Sequence, residues 1–171
     1  MRTFIFSTIF YLLFLFNHSF SFQQNPDQGD IGTGGREDSN FMSPKNSNLK
    51  KGKDALKQAI KLNRKDKVKK ANKKFEKALK YFVSAYKENP DNIEVISFLG
   101  LTYNETNDFI MAEIYYKEAL LIDPNNILIN KRLGELYFNT KRIILAKERL
   151  EVLNSCNCKE YISLKNLIYK N

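Results

Sequence analysis

Residues 96–124 read ISFLGLTYNETNDFIMAEIYYKEALLIDP, and their spacing decides the fold. Ile96, Leu99, Gly100 and Tyr103 are followed by Ala112, Tyr116, Ala119 and Pro124. The same residue types return 34 positions later at Leu133, Gly134, Tyr137 and Ala146, and 34 positions earlier at Ala78, Phe82, Ala85 and Pro90. A fixed period of this length, with apolar steps of three and four residues inside it, describes a helical hairpin repeated along the chain. No stretch alternates with period 2, and valine is scarce, so no sheet is expected.

These residues fit the pattern W-x2-L-G-x2-Y…A-x3-F…P, with Ile96 for the Trp and Tyr116 for the Phe. The chain therefore resembles the tetratricopeptide repeat family over about residues 59–160. The fit runs through the whole of 96–124, the first half of the following repeat and the second half of the preceding one. The resemblance implies an all-α fold, a short tetratricopeptide-repeat superhelix of antiparallel helix pairs with a C-terminal capping helix. It also implies an interaction scaffold rather than an enzyme. The stretch Leu133-Gly134-Glu135-Leu136-Tyr137, with Cys156-Asn157-Cys158-Lys159-Glu160-Tyr161 and Leu164-Lys165, is similar to small exported tetratricopeptide proteins of alphaproteobacteria. Their last helix reads C-E-E-Y-x-x-L-K, and Lys159 departs from it at the first Glu. That likeness implies a periplasmic address and carries no activity with it.

With 171 residues the chain has room for one domain. Residues 1–21 read as a secretory signal peptide. Arg2 precedes an apolar run from Phe4 to Phe16, and Ser19-Phe20-Ser21 offers small residues where a signal peptidase cuts, with cleavage expected after Ser21. The run is shorter than the ~17–25 apolar residues of a spanning helix, so no transmembrane span is expected after cleavage. An uncleaved anchor is the alternative, and the expected location is periplasmic or secreted. Residues 22–46 are rich in Gln, Asn, Gly, Ser and Pro, a composition of disordered linkers. Gly32-Thr33-Gly34-Gly35 lacks the Lys-Ser/Thr and the preceding strand of a phosphate loop.

Charge is distributed unevenly. Residues 45–87 hold 16 Lys/Arg against 3 Asp/Glu, whereas residues 88–171 hold 10 against 12. Such a block can be a solvated face, or it can attract an acidic protein, an anionic membrane surface or nucleic acid. Lys outnumbers Arg 22 to 6 and Asn occurs 19 times, a bias that AT-rich coding produces without any partner. Nucleic acid is the least favoured partner, because a basic patch is a footprint and not a motif.

The folded part, 47–171, divides into an atypical repeat 1 (about 47–92), repeat 2 (93–126), repeat 3 (127–157) and a capping helix (158–169). Repeat 1 is expected to have a helix from about Asn48 to Leu62. A longer one should start at Val68, capped by Asp66 and ended by Asn89-Pro90. Its extra N-terminal turns carry Lys67, Lys69, Lys70, Lys73 and Lys74 and are expected to project as a basic prong. In repeat 2, Asp91 and Glu94 suggest a capping box, Asn107 a left-handed turn residue and Asp108 the next cap. Gly100 and Ala112 are expected to face each other across the hairpin. Asn157 and Glu160 suggest a capping box for the last helix, which carries Tyr161, Leu164 and Ile168 and should cover the open end of the stack.

His18 is the only histidine and lies in the signal region, which removes Ser-His-Asp and Cys-His nucleophile sets and the usual zinc sites. Two cysteines are too few for a structural zinc or an iron–sulfur cluster. No enzyme activity, cofactor or metal is expected. Cys156 and Cys158 can pack, close a short disulfide, act in redox chemistry or hold a soft metal ion. The concave face of a repeat stack is lined by the first helix of each pair, here 93–105 and 127–139, and a protein or peptide partner is expected there. The residues expected to face that groove are Ser97, Leu101 and Asn104, then Lys131, Glu135 and Phe138. One branch of the family holds peptide C-terminal carboxylates with Lys and Asn on these helices. Lys131 and Arg132 resemble that set, whereas Leu101 and Glu135 stand where it has Asn, so no clamp is assigned. The alternative is an electrostatic binder working through residues 45–87.

Overall fold

The computed structural model describes residues 47–170. The expected signal segment and linker lie outside the described residues. Seven helices follow one another: α1 (Ser47–Asn63), α2 (Val68–Glu88), α3 (Ile93–Glu105), α4 (Phe109–Ile122), α5 (Ile127–Asn139), α6 (Ile143–Val152) and α7 (Lys159–Tyr169). Among the described residues there is no strand. The first six form three antiparallel hairpins, α1/α2, α3/α4 and α5/α6, stacked in order, and α7 packs on α5 and α6. The fold is all-α, a short tetratricopeptide-repeat superhelix.

Short polar side chains start the regular helices. Asn92 accepts from the Val95 N–H (3.2 Å), Asp108 from the Met111 N–H (3.1 Å) and Asn126 from the Ile129 N–H (3.2 Å). Each satisfies one of the backbone donors that a helix start leaves unpaired. The cap of α3 is therefore Asn92 and not the expected Asp91. Asn107 turns the α3/α4 hairpin at φ 62°, as the sequence suggests, and Lys141 does the same 34 residues on at φ 64°. Two further expected caps are corrected. Asp66 (φ 54°) is itself the left-handed turn residue, and α2 begins behind Lys67 with no side-chain cap. Asn157 (φ 42°) likewise makes the turn before α7, which starts behind Cys158 without a side-chain cap.

The hairpins close on small-to-aromatic contacts. A Cβ on Gly52 would stand 2.5 Å from Phe82 Cε1, and one on Gly100 would stand 2.7 Å from Tyr116 Cδ1. Gly100 thus lies against the Tyr116 ring. Phe82 follows Gly52 by 30 residues, whereas Tyr116 follows Gly100 by 16. The extra length is shared between the end of α1, the turn and the start of α2. Hairpin 1 is a regular repeat stretched by roughly two turns on each helix, since a turn takes about 3.6 residues. The extra turns of α2 expected to form the basic prong are thus paired with a lengthened α1. Ala71 and Phe75 in the extra turns of α2 are buried, because α1 is lengthened alongside them.

One apolar cluster fills hairpin 1 and its junction with α3, around Phe75, Phe82, Val95 and Leu99. A second joins hairpins 2 and 3 around Ile96, Tyr116, Ile129, Leu133 and Tyr137. A third ties α7 on through Leu150, Leu153 and Leu164, all buried. Leu164 Cδ2 lies 2.6 Å from where a Gly134 Cβ would stand, the place that Phe82 and Tyr116 fill in the earlier hairpins.

Candidate functional site

The lengthening of α1 creates an open groove. An amphipathic helix presents residues three and four apart on one face. On α1 that face carries Lys53, Leu56, Lys57, Ile60 and Lys61, with Arg64 and Lys65 in the turn; Phe98 and Leu101 of α3 form the opposite wall. Where a regular first helix would end, α1 continues, and its face stays uncovered. The groove has a volume of about 660 Å³, an apolar floor of Leu56, Ile60, Phe98 and Leu101, and a cationic rim. Phe98 is held flat by stacking on Phe82, centroid to centroid 5.3 Å. Lys53 is tied to Glu94 at 2.7 Å and lies 5.5 Å from the Phe98 ring centroid. Lys57, Lys61, Arg64 and Lys65 have no salt bridge among the described residues. Arg64 also acts on the carboxylate of Glu105. Burial raises its pKa against the pull of Arg64, which weakens it as an internal counter-ion.

The six residues expected in the groove do not form one open site. Leu101 lines the groove. Ser97 is buried, and its hydroxyl accepts from Arg132 at 2.6 Å. Burial lowers the pKa of that guanidinium. Asn104 is half-buried, and its side-chain oxygen has no partner among the described residues. Lys131 and Glu135 neutralise each other at 2.6 Å along α5. Phe138 is half-buried against the second core cluster. Of the expected basic patch, Lys67, Lys69, Lys70 and Lys73 are exposed. Lys74 is half-buried and lines a small hollow with Lys51, Lys77 and Tyr81. Cys156 and Cys158 are joined in a disulfide with Cα atoms 5.1 Å apart. Among the described residues no three His, Cys, Asp or Glu side chains gather as a metal site, and no helix is long and apolar enough to cross a membrane.

Sequence reasoning missed Lys53, Lys57 and Lys61 as groove residues. Their four-residue spacing beside Leu56 and Ile60 was the available signal. What it lacked was the length by which α1 overhangs α3.

Residues 93–126 match the family model described as tetratricopeptide repeat. A curated relative, the uncharacterized protein ycf37 of Guillardia theta, is 34% identical over 50 residues, covering 29% of this chain and 28% of that protein. The match thus spans less than a third of the relative's length. Among solved structures, the second TPR domain of human RPAP3, in complex with the HSP70 peptide SGPTIEEVD, superposes with a TM-score of 0.55 at 17% identity, covering 74% of this chain and 99% of that one. The Arabidopsis OM64 TPR domain gives 0.52 at 19%, covering 72% and 98%. The first TPR of Spaghetti (RPAP3), bound to the HSP90 peptide SRMEEVD, gives 0.51 at 18%, covering 69% and 90%. These likenesses show the fold: stacked helical hairpins of the tetratricopeptide type.

Proposed function

We propose that this chain is a non-enzymatic scaffold that binds a protein partner by taking an acidic peptide segment into the α1–α3 groove. The observation that carries this reading is the groove itself, an apolar floor edged by cations of which Lys53 is paired with Glu94 while Lys57, Lys61, Arg64 and Lys65 have no salt bridge among the described residues. An apolar side chain of the partner would sit on Leu56, Ile60 and Leu101, and flanking carboxylates would meet Lys57, Lys61 and Arg64. Two of the similar structures are solved with peptides ending in EEVD, which supports an acidic ligand on such a fold. The exposed Lys67, Lys69, Lys70 and Lys73 extend the positive field beyond the Asn63–Lys67 turn and would speed encounter with an acidic partner. An exported, periplasmic location completes the proposal. It rests on the signal-like residues 1–21, and the Cys156–Cys158 bridge suits an oxidising compartment.

The test is recovery of partners with tagged full-length chain from an envelope fraction, comparing the parent with a Lys57→Glu, Lys61→Glu variant. The partner should be lost from the variant and weakened in the parent by raised salt. A partner retained by the variant, or a chain found only in the cytosol, contradicts the reading. Parallel sedimentation with vesicles containing phosphatidylserine separates it from the electrostatic alternative. Vesicle binding that is abolished by neutralising Lys67, Lys69, Lys70 and Lys73, with no groove dependence, favours the membrane surface.

A further inference from the structure

The groove does not end at Leu101. At about 100° per residue, Phe98, Leu101 and Glu105 of α3 fall within about 60° of one another, and so do Leu56, Ile60 and Asn63 of α1. The two walls therefore run on, one turn further, into a second hollow of about 560 Å³ beneath the overhanging end of hairpin 1. Its sign is opposite to that of the groove. The charged residues lining it are Glu76, Glu105 and Asp108, with no Lys or Arg among them. Glu76 and Glu105 have no salt bridge among the described residues. Asp108 uses one carboxylate oxygen to cap α4. Glu105 is half-buried, and burial pushes its carboxyl up against the pull of Arg64, so the field of Arg64 does not satisfy it. The floor is apolar, with Phe75 buried and Leu79 and Tyr103 half-buried.

Carboxylates above an apolar floor fit a cation carried on an apolar stem. Among the described residues no three His, Cys, Asp or Glu side chains gather closely enough to hold a metal ion. A lysine or arginine side chain has both parts. Its methylenes would lie on Phe75, Leu79 and Tyr103, and its head would reach Glu76 and Glu105. Lys57 and Asn63 are six positions apart, about 9 Å along α1 at about 1.5 Å per residue. An extended peptide covers that distance in about three residues. We propose that the segment held in the groove carries a lysine or arginine about three residues from its acidic residues, and that this base is received between Glu76 and Glu105. This rests on the groove reading and adds what sorts one acidic segment from another. A segment acidic throughout would set its own carboxylate against Glu76, Glu105 and Asp108, and like charges brought together reject it.

The experiment pans a library of random peptides displayed on phage against the immobilised full-length chain. Peptides recovered by the parent should be enriched in Asp or Glu beside a large apolar residue, with Lys or Arg about three positions away. A Glu76→Lys, Glu105→Lys variant should still select the acids and the apolar residue but no longer the base, and that retained selection shows that it is folded. If the charge-reversed variant does not fold, Glu76→Gln, Glu105→Gln must show the same loss. A Lys57→Glu, Lys61→Glu variant should lose the acids and keep the base. With a synthetic copy of a recovered peptide, replacing its base by Gln should weaken binding to the parent at least tenfold and should not weaken binding to the Glu76, Glu105 variant. Recovered peptides with acids and an apolar residue but no base would overturn this proposal and leave the groove reading standing. A base still selected after Glu76 and Glu105 are changed would overturn the hollow as its site. Peptides with neither acids nor base, or no recovered peptide, would overturn both.

Discussion

The Phe82 ring lies so close to the Gly52 backbone that any side chain at position 52 would enter it. The same relation holds between Gly100 and Tyr116 in the next hairpin. These two contacts set the distance between the helices of each pair, and so the register of the whole stack.

Gly52→Ala should therefore destabilise the fold although Ala is the better helix former. Ala gains about 1 kcal/mol of helix propensity over Gly, but overpacking a closed contact costs about 1–3 kcal/mol. Phe82 is fully buried and has nowhere to swing. Urea unfolding should show a lower midpoint at unchanged slope. Adding Phe82→Leu should recover part of the loss, so that the double variant is more stable than the summed singles. A Gly52→Ala protein as stable as the parent would mean that the ring moves aside.

Glu113 predicts how the fold responds to acid. Burial acts to raise its carboxyl, but hydrogen bonds from Lys117 and Arg142 outweigh burial and hold it below the ordinary carboxylate range. A depressed folded-state pKa contributes stability that is present above the unfolded value of about 4.3 and is lost as pH falls through the folded value. The parent's melting temperature should fall between about pH 5 and pH 2. A Glu113→Gln variant should melt lower at pH 7 and lose less over the same range. Parallel curves for the two proteins would remove Glu113 from the acid response.

Much of this was legible in the sequence for a physical reason. Apolar spacing and short polar caps are local, so Ile93–Glu105, Phe109–Ile122 and the left-handed Asn107 could be read directly. What could not be read depends on how far one helix runs past another. Gly52 is the counterpart of Gly100, but the residues inserted between it and Phe82 take it out of the 34-residue register. The groove lysines were hidden by the same insertion. Adjacent acceptors are also hard to rank, so Asp91 stood in for Asn92. In the expected groove on α3 and α5, Ser97, Lys131 and Glu135 find partners within the chain, which spacing does not reveal.

Asn130 shows a different limit. It stands 34 residues after Ile96, in the same core register, and is fully buried. Its amide donates to the carbonyls of Pro124 (2.9 Å) and Asn126 (3.0 Å), closing the turn into α5. Asn130→Ile restores the apolar residue of the preceding repeat but leaves the Pro124 carbonyl without its donor, while the Asn126 carbonyl keeps the backbone N–H of residue 130. A buried polar group stripped of its partner costs about 1–3 kcal/mol, more than the apolar gain in a site shaped for an amide. Thermal unfolding should show a lower melting temperature. A stabilised Asn130→Ile protein would show that the Pro124 carbonyl reaches water.

The capping helix carries the last prediction. Leu164 of α7 fills the place against Gly134 that Phe82 and Tyr116 fill against their own glycines, and Leu150 and Leu153 are buried beneath the same helix. Leu164→Ala should cost about 2–5 kcal/mol, a large part of a stability that is usually about 5–15 kcal/mol. Ending the chain before Asn157 would uncover Leu150 and Leu153 as well, at about 1.5–3 kcal/mol for each large apolar side chain. That protein should be insoluble or should lose its fixed side-chain signals while keeping helical circular dichroism. The disulfide beside it should matter much less. It joins cysteines only two positions apart, and constraining so short a loop in the unfolded chain stabilises by about 1–2 kcal/mol. A Cys156→Ser, Cys158→Ser variant should remain folded and melt a few degrees lower. If the truncated chain melts like the parent, α7 is not a cap. If the double Ser variant unfolds, the bridge and not the Leu164 contact is what holds α7 in place.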